Sequence, residues 1–365
     1  MKKICFFIRT ISGDGGTERM SSLIANELAN SGYEVHILSM YKGTHSYYTI
    51  DKKVKLSTIK DVKASFSLKY FTAVRAIRSY VKEHKIDTII DVDTILSLFS
   101  TVATIGINIQ HASWEHFNYK SDFGLIKRRL SRHVARLLCD DIIVLTERDK
   151  QFWEEQRFNN AKVSVISNPS PYQKKQYCED INAINQSKNV IAVGRLVNQK
   201  GFDHLLDGWS RISKKYPDWT LKLIGSGPLE NDIRMLIDQL DIKDSVQMIP
   251  STKSIHEYYK ESTIYCLTSR FEGLPMVLIE ALHFGLPIVA YDCDTGPAEI
   301  VTDGENGFLC KTGNVSDFSN KLAALMGDEV LRQKFSNSAF ERSSKFNIEN
   351  VLEKWIELIN GCSHR

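Results

Sequence analysis

Apolar residues in the first half of the chain come in short, β-branched runs: Ile4–Ile8, Val35–Ile37, Thr88–Ile90, Ile107–Ile109, Ile142–Leu145 and Val163–Ile166. Runs of this length predict strands. Between them Met20, Leu23, Ile24 and Leu28, and later Val74, Ile77 and Val81, recur at helical spacing. Strands apolar on both faces and separated by helices predict a parallel sheet covered on each side. The pattern lapses over the polar stretch 169–188, PSPYQKKQYCEDINAINQSK, and then restarts. Val190–Val193, Leu221–Ile224, Val246–Ile249, Ile264–Leu267 and Ile288–Ala290 read as strands, with Leu205, Leu206, Trp209 and Ile212, then Ile233, Leu236, Ile237 and Leu240, on helices. The expectation is two successive doubly wound α/β domains, 1–170 and 189–345, joined by a linker over 171–188. A closing helical segment, 346–365, is expected to join the first domain. Ligands of such sheets bind beyond the carboxyl ends of the strands, which here points to a cleft between the domains.

A chain of 365 residues suits two domains, and 42% hydrophobic with 25% charged residues describes a globular composition. No apolar stretch is long enough for a membrane-spanning helix. The opening Met1-Lys2-Lys3 followed by Ile4–Ile8 is too short for a signal peptide and runs into a glycine-rich loop, so a buried first strand is expected. Seven cysteines, Cys5, Cys139, Cys178, Cys266, Cys293, Cys310 and Cys362, include no C-x-x-C pair. That argues against a zinc ribbon or a disulfide framework and fits a cytoplasmic location. The net charge of +3 hides an asymmetry: residues 1–187 carry 27 Lys and Arg against 20 Asp and Glu (+7), and residues 188–365 carry 20 against 24 (−4). A basic half suggests an anionic partner.

The first strand runs into Gly13-Asp14-Gly15-Gly16-Thr17-Glu18 and then a helix. Glycines let a ligand approach the backbone, and the helix start offers N–H groups to an anion. A dinucleotide fingerprint is excluded because position 18 is Glu; a glycine turn without a ligand stays open. In the second domain Arg195 and Lys200 follow the first strand, and Gly225 and Gly227 follow the second. Two cations beside glycine turns predict an anion site for a diphosphate. The segment Ser269-Arg270-Phe271-Glu272-Gly273-Leu274-Pro275-Met276 then leads into an apolar helix that contains Glu280. A carboxylate within such a helix must meet donors, either a ribose diol, a basic group or neighbouring backbone.

These motifs resemble the family 4 retaining glycosyltransferases of GT-B fold, whose E-x₇-E signature Glu272 and Glu280 match. GDGGTERM, VGRLVNQKGFDHLL, LIGSGP and GPAEIVTDGENGFLC extend the likeness across most of the chain. The resemblance implies two Rossmann-like domains facing each other across a cleft, the first receiving the acceptor and the second the nucleotide sugar. It assigns Arg195 and Lys200 to the donor diphosphate and Glu280 to the ribose. Glu272, Gly273 and Leu274 go to the sugar, and Gly15, Gly16, Gly225 and Gly227 to the donor-binding loops. His116 matches the family histidine and His111 falls within a strand, so the catalytic set reads Glu272, His116, Arg195 and Lys200. The expected donor is UDP-linked and no metal is expected, although Asp91-Val92-Asp93 and Asp292-Cys293-Asp294 could suggest one. The WEHFNY stretch resembles bacterial capsule and lipopolysaccharide enzymes, which implies an undecaprenyl-diphosphate-linked acceptor. A UDP-sugar 2-epimerase and a non-catalytic nucleotide-sugar binder remain alternatives.

One basic segment, Lys127, Arg128, Arg129, Arg132 and Arg136, surrounds an apolar stripe of Ile126, Leu130, Val134, Leu137 and Leu138. It is read either as a solvated helix docked by its apolar stripe or as a peripheral contact with the inner face of the cytoplasmic membrane. Nucleic acid is not expected, since no aromatic residues interleave these cations.

Overall fold

The computed structural model describes residues 1–42, 45–59, 66–122, 124–172 and 187–361, so Cys178, Cys362 and most of the expected linker lie outside the described residues. The chain divides into two compact units, Met1–Asn168 with Glu349–Arg365, and Pro169–Ile348.

The first unit holds a seven-stranded parallel sheet: β1 (Lys3–Ile8), β2 (Glu34–Ser39), β3 (Lys55–Thr58), β4 (Thr88–Val92), β5 (Gln110–Trp114), β6 (Asp141–Val144) and β7 (Lys162–Val165). Their order is β3-β2-β1-β4-β5-β6-β7. Crossovers are made by α1 (Gly16–Asn30), α2 (Phe66–His84), α3 (Ser97–Thr104), α4 (Ile126–Leu138) and α5 (Glu147–Glu154). The strand expected at Ile107–Ile109 lies three residues further on, at Gln110–Trp114. Its side chains QHASW are less apolar than the preceding run, yet four of the five are buried. A closing helix, α13 (Ile348–Gly361), packs on this unit: Trp355 is fully buried, its ring 4.8 Å from Trp114 and 6.1 Å from Phe6.

The second unit repeats the plan with six parallel strands in the order β10-β9-β8-β11-β12-β13: β8 (Asn189–Val193), β9 (Thr220–Ile224), β10 (Val246–Ile249), β11 (Ile264–Leu267), β12 (Ile288–Asp292) and β13 (Gly307–Lys311). The helices are α6 (Phe202–Ser210), α7 (Glu230–Gln239), α8 (Ile255–Lys260), α9 (Met276–His283), α10 (Pro297–Ile300), α11 (Val315–Gly327) and α12 (Glu329–Ser343). In each sheet the winding reverses once, between β1 and β4 and between β8 and β11. At those points successive loops diverge and leave the strand ends open to a ligand.

Helix α4 contradicts the sequence expectation. Its apolar stripe faces outward, with Ile126 80%, Leu130 53% and Leu138 60% exposed, while Arg128, Arg132 and Arg136 are buried. Only Lys127 and Arg129 of the five cations are exposed. The reason is a buried carboxylate. Glu115, just past β5, is 1% exposed and pairs with Arg132 Nε at 3.0 Å and Arg128 Nη1 at 3.3 Å. Arg128 also holds Asp93 through Nη2 at 2.8 Å, and Arg132 Nη2 donates to the carbonyls of Asn118 and Ser121. Leaving Glu115 buried without a cation costs more than leaving one leucine in water.

This orientation predicts opposite outcomes on one helix. Arg132→Leu removes the closer of the two guanidinium partners of Glu115 and should cost roughly 3–5 kcal/mol. Leu130→Gln, on the solvent side, should stay within about 0.5 kcal/mol of wild type. Urea unfolding of both variants checks the pair, and the reverse ranking would refute the orientation.

Candidate functional site

In the second unit the loops after β8 and β11 adjoin at the winding reversal. The backbone N–H of Arg270 donates to the Gln199 carbonyl at 2.8 Å, and Gln199 Nε2 returns a bond to Phe271 O at 2.9 Å. Arg270 grips Asp203 through two bonds of 3.0 and 2.6 Å and also donates to Asn198 O at 2.6 Å. Although partial burial works against it, the Arg270 contact holds the Asp203 carboxyl below its usual range. This clamp fixes the two loops together, and sequence reasoning missed it.

It also brings two predicted residues into contact. Lys200 Nζ donates to Glu272 Oε1 at 2.6 Å, with Glu272 only 7% exposed. The lysine stem runs past Gly194, where a Cβ would sit 3.3 Å from Lys200 Cγ and Cδ. Gly201 takes a left-handed φ of 62°, and a side chain there would meet the Thr268 carbonyl at 2.1 Å. That glycine lets the loop close onto β11. Gly225 and Gly227 serve a close backbone approach of their own: a Cβ on either would strike Gly194 O at 1.9 Å or Leu196 O at 2.5 Å. Gly273 is covered by Gly296, whose added Cβ would lie 2.6 Å from the Gly273 carbonyl, and Leu274 is buried. Arg195 is exposed and its side chain joins none of these contacts.

Glu280 is 4% exposed on α9 and accepts from the Tyr259 hydroxyl at 3.0 Å. Burial, then the Glu280 charge, push the Tyr259 phenol well above its usual range, so it stays the donor. Its ring stacks on Phe284 at 5.3 Å and 7°. Tyr259 was not anticipated, because nothing in the sequence pairs it with a position 21 residues away.

In the first unit α1 starts at Gly16 with Gly15 as its N-cap. The Glu18 carboxylate folds over this loop, so that a Cβ on Gly13 or Gly15 would lie 2.6 Å from one of its oxygens. The anion favoured at the helix start is thus the chain's own. Beyond β5, the His116 ring lies against Trp114, centroids 4.3 Å apart and planes tilted by 44°, and its Nε2 is buried with no hydrogen-bond partner among the described residues. Burial pushes its pKa down to about 4 against an opposing pull from Asp93. Asp93, at the end of β4, holds a left-handed φ of 88° that a non-glycine residue adopts under strain. His111 lies inside β5, 4% exposed, with Nε2 2.8 Å from Asp91 Oδ2.

Two family models cover most of the chain: glycosyl transferases group 1 over residues 173–342 and glycosyltransferase family 4 over residues 14–171. An uncharacterized glycosyltransferase of Haemophilus influenzae is 39% identical across 97% of this chain and 99% of its own length. The amylovoran biosynthesis glycosyltransferase AmsD of Erwinia amylovora is 33% identical across 99% and 100%. The chain belongs to this glycosyltransferase family. An N-acetyl-D-galactosaminyltransferase of Campylobacter jejuni, named for a diNAcBac-PP-undecaprenol-linked substrate, is 27% identical across 98% of both chains. The crystal structure of Anabaena HepE in complex with UDP superimposes with a TM-score of 0.82 over 99% of this chain and 100% of its own, at 17% identity. That likeness shows the GT-B fold.

Among the described residues of this glycosyltransferase, one set of potential metal donors converges: Asp91, His111 and Cys139, all buried, with ligand atoms within 4.8 Å of one another. Asp91 Oδ2 already accepts from Ser97, Ser100 and His111 at 2.8, 2.7 and 2.8 Å. A metal on Oδ2 would have to displace all three, while Oδ1 is buried with no hydrogen-bond partner among the described residues. Asp93, the other carboxylate of that D-x-D sequence, is held by Arg128.

The depressed His116 pKa has a sign that can be tested. Between about pH 4 and 6.5 the unfolded chain binds a proton at this residue that the folded chain does not, so stability falls as pH drops through that window. His116→Gln should reduce the proton uptake on unfolding in that range by up to one, read from urea unfolding at a series of pH values. An unchanged slope would refute the burial assigned to His116.

Proposed function

We propose that this glycosyltransferase moves a hexose or N-acetylhexosamine from a nucleoside diphosphate, UDP in the first instance, onto a growing bacterial surface glycan carried on undecaprenyl diphosphate. The observation that carries the reading is the Lys200–Glu272 contact of 2.6 Å at the sheet's winding reversal. A cation for a diphosphate and a carboxylate for sugar hydroxyls are held there side by side. The UDP complex of HepE and the names of the Erwinia and Campylobacter relatives support the donor and acceptor classes.

In this reading Arg195 and Lys200 take the donor diphosphate, with the turns at Gly225 and Gly227 beside them. Glu280, oriented by Tyr259, takes the ribose diol. Glu272, Gly273 and Leu274 take the sugar. His116 offers a neutral imidazole, with Nε2 held away from other partners, to a hydroxyl of the reacting sugar. Use of Gly15 and Gly16 requires the Glu18 carboxylate to move. The diphosphate leaves toward Arg195 and Lys200, and the acceptor hydroxyl attacks from that same face, passing its proton to the leaving oxygen. The anomeric configuration is then retained. Catalysis rests on positioning and on charge stabilisation by two cations, without a metal.

The clamp is tested by UDP titration. Arg195→Ala and Lys200→Ala should each raise the dissociation constant about tenfold to a hundredfold, the loss of one charge-assisted bond at roughly 1.5–3 kcal/mol. The two should differ in stability: Lys200→Ala leaves Glu272 buried without its lysine and lowers the melting temperature, while the exposed Arg195 does not. In transfer assays run in EDTA, Glu280→Gln should raise the donor KM, and Glu272→Gln should lower kcat with UDP binding retained. Unaltered UDP affinity in both cation variants would overturn the donor site.

A peripheral membrane contact belongs to the same proposal, in altered form. With Arg128, Arg132 and Arg136 turned inward, the surface offered to a bilayer is the exposed row Leu125, Ile126, Leu130 and Leu138, flanked by Lys127 and Arg129. An amphipathic helix lies in the interface through such a row. Flotation with anionic vesicles should fall sharply in Ile126→Ser/Leu130→Ser and only modestly in Lys127→Ala/Arg129→Ala. Equal flotation of all three proteins would exclude this face.

A further inference from the structure

The first unit has a second concave surface that the proposed reaction does not use. A pocket of about 530 Å³ opens between the β5–α4 connection, the inner flank of α4 and helix α5. Its lining carries four cations, Lys120, Arg129, Arg132 and Arg136, against two carboxylates, Asp122 and Glu155. Arg129 is paired with Asp122 and Arg132 with Glu115, so their charge is largely spent. Lys120 and Arg136 are different.

The Lys120 ammonium sits 3.9 Å over the Phe152 ring and Arg136 donates to the Arg157 carbonyl at 3.1 Å; neither is held by a carboxylate among the described residues. Arg136 is 7% exposed, yet its Nε is buried with no hydrogen-bond partner among the described residues. A buried guanidinium N–H left unmatched beside an open pocket is a donor awaiting an acceptor. The neighbouring His133 adds another. Arg136 Nη2 lies 2.8 Å from His133 Nδ1, and a guanidinium can only donate, so Nδ1 accepts and the ring proton sits on Nε2. The imidazole at this wall therefore presents its Nε2–H as a donor as well.

We infer that this pocket binds a phosphate group. Two cations without carboxylate partners, an unmatched buried N–H and an imidazole N–H match an acceptor-rich dianion. Both a phosphate on a glycan and a lipid headgroup present that chemistry. The lining shares no residue with the donor set, and binding there does not depend on the reaction assigned above.

Calorimetry with glucose 1-phosphate, run with UDP saturating so that any diphosphate site is filled, tests the glycan source. Flotation with vesicles of phosphatidylcholine with and without phosphatidic acid tests the lipid source. Lys120→Glu and Gln156→Glu place a negative charge in the lining and should weaken binding at least tenfold. Lys82→Glu, exposed on α2 and outside both the lining and the α4 row, should leave binding within twofold. All three sites are on the surface or partly so, and melting temperatures confirm the folds. Binding of glucose 1-phosphate alone assigns a glycan phosphate. Flotation with the anionic vesicles that Lys120→Glu and Gln156→Glu weaken assigns a headgroup. Flotation that both leave intact belongs to the α4 row and overturns the headgroup source. No saturable binding of either probe, or equal weakening by all three substitutions, would overturn the inference.

Discussion

The controlling constraint is that a parallel strand can be followed only by a crossover, and each sheet here reverses its direction of winding once. Both sheets place that reversal beside their first strand, between β1 and β4 and between β8 and β11. The two loops that leave a reversal lead to separate crossovers and open a crevice at the strand ends, and in the second unit their first residues still touch across it. Lys200 and Glu272 are 72 residues apart in the chain and 2.6 Å apart in space for this reason alone. Arg270, bound to Asn198, Gln199 and Asp203, then turns a topological coincidence into a fixed geometry.

The two units meet the same constraint with different chemistry. In the second, glycines at 194, 201, 225 and 227 allow backbone to pass over backbone, and charged side chains emerge from the packed loops. In the first, the loop after β4 is spanned by Asp93 at positive φ, and the space beneath is filled by the Arg128, Glu115 and Arg132 charges. Such an array is stable only if complete, because each member would otherwise be a desolvated ion. It makes the His116 neighbourhood dependent on residues that touch no reacting group.

What was legible in the sequence was local. Ten of the strands announced themselves as short β-branched runs, and glycine loops and the E-x₇-E spacing marked the second unit's site. The misses are all non-local. Gln110–Trp114 replaced Ile107–Ile109 because a buried strand can carry Gln, His and Ser when neighbours satisfy them, as Asp91 does for His111. The edge strands β3 and β13 lack a β-branched apolar run: β3 reads KLST, and the apolar residues of β13 are Phe308, Leu309 and Cys310. Helix α4 has a clear 3.6-residue period, but periodicity reports two faces without saying which is inside. The answer lay in Glu115 and Asp93, whose burial no pattern on α4 itself could reveal.

The inward-facing arginines of α4 also bear on how the chain acquires its structure. A helix docked by leucines can collapse onto any apolar surface and anneal later. A helix docked by guanidinium groups has no favourable resting place until β4 and β5 are paired and present Asp93 and Glu115 together, 35 and 13 residues before Arg128. Its docking is therefore conditional on non-local contacts already formed, which places α4 after the nucleation of the central strands. Until then the segment is a cationic, amphipathic peptide whose arginines face water as its leucines do, open to a chaperone or to a neighbouring copy.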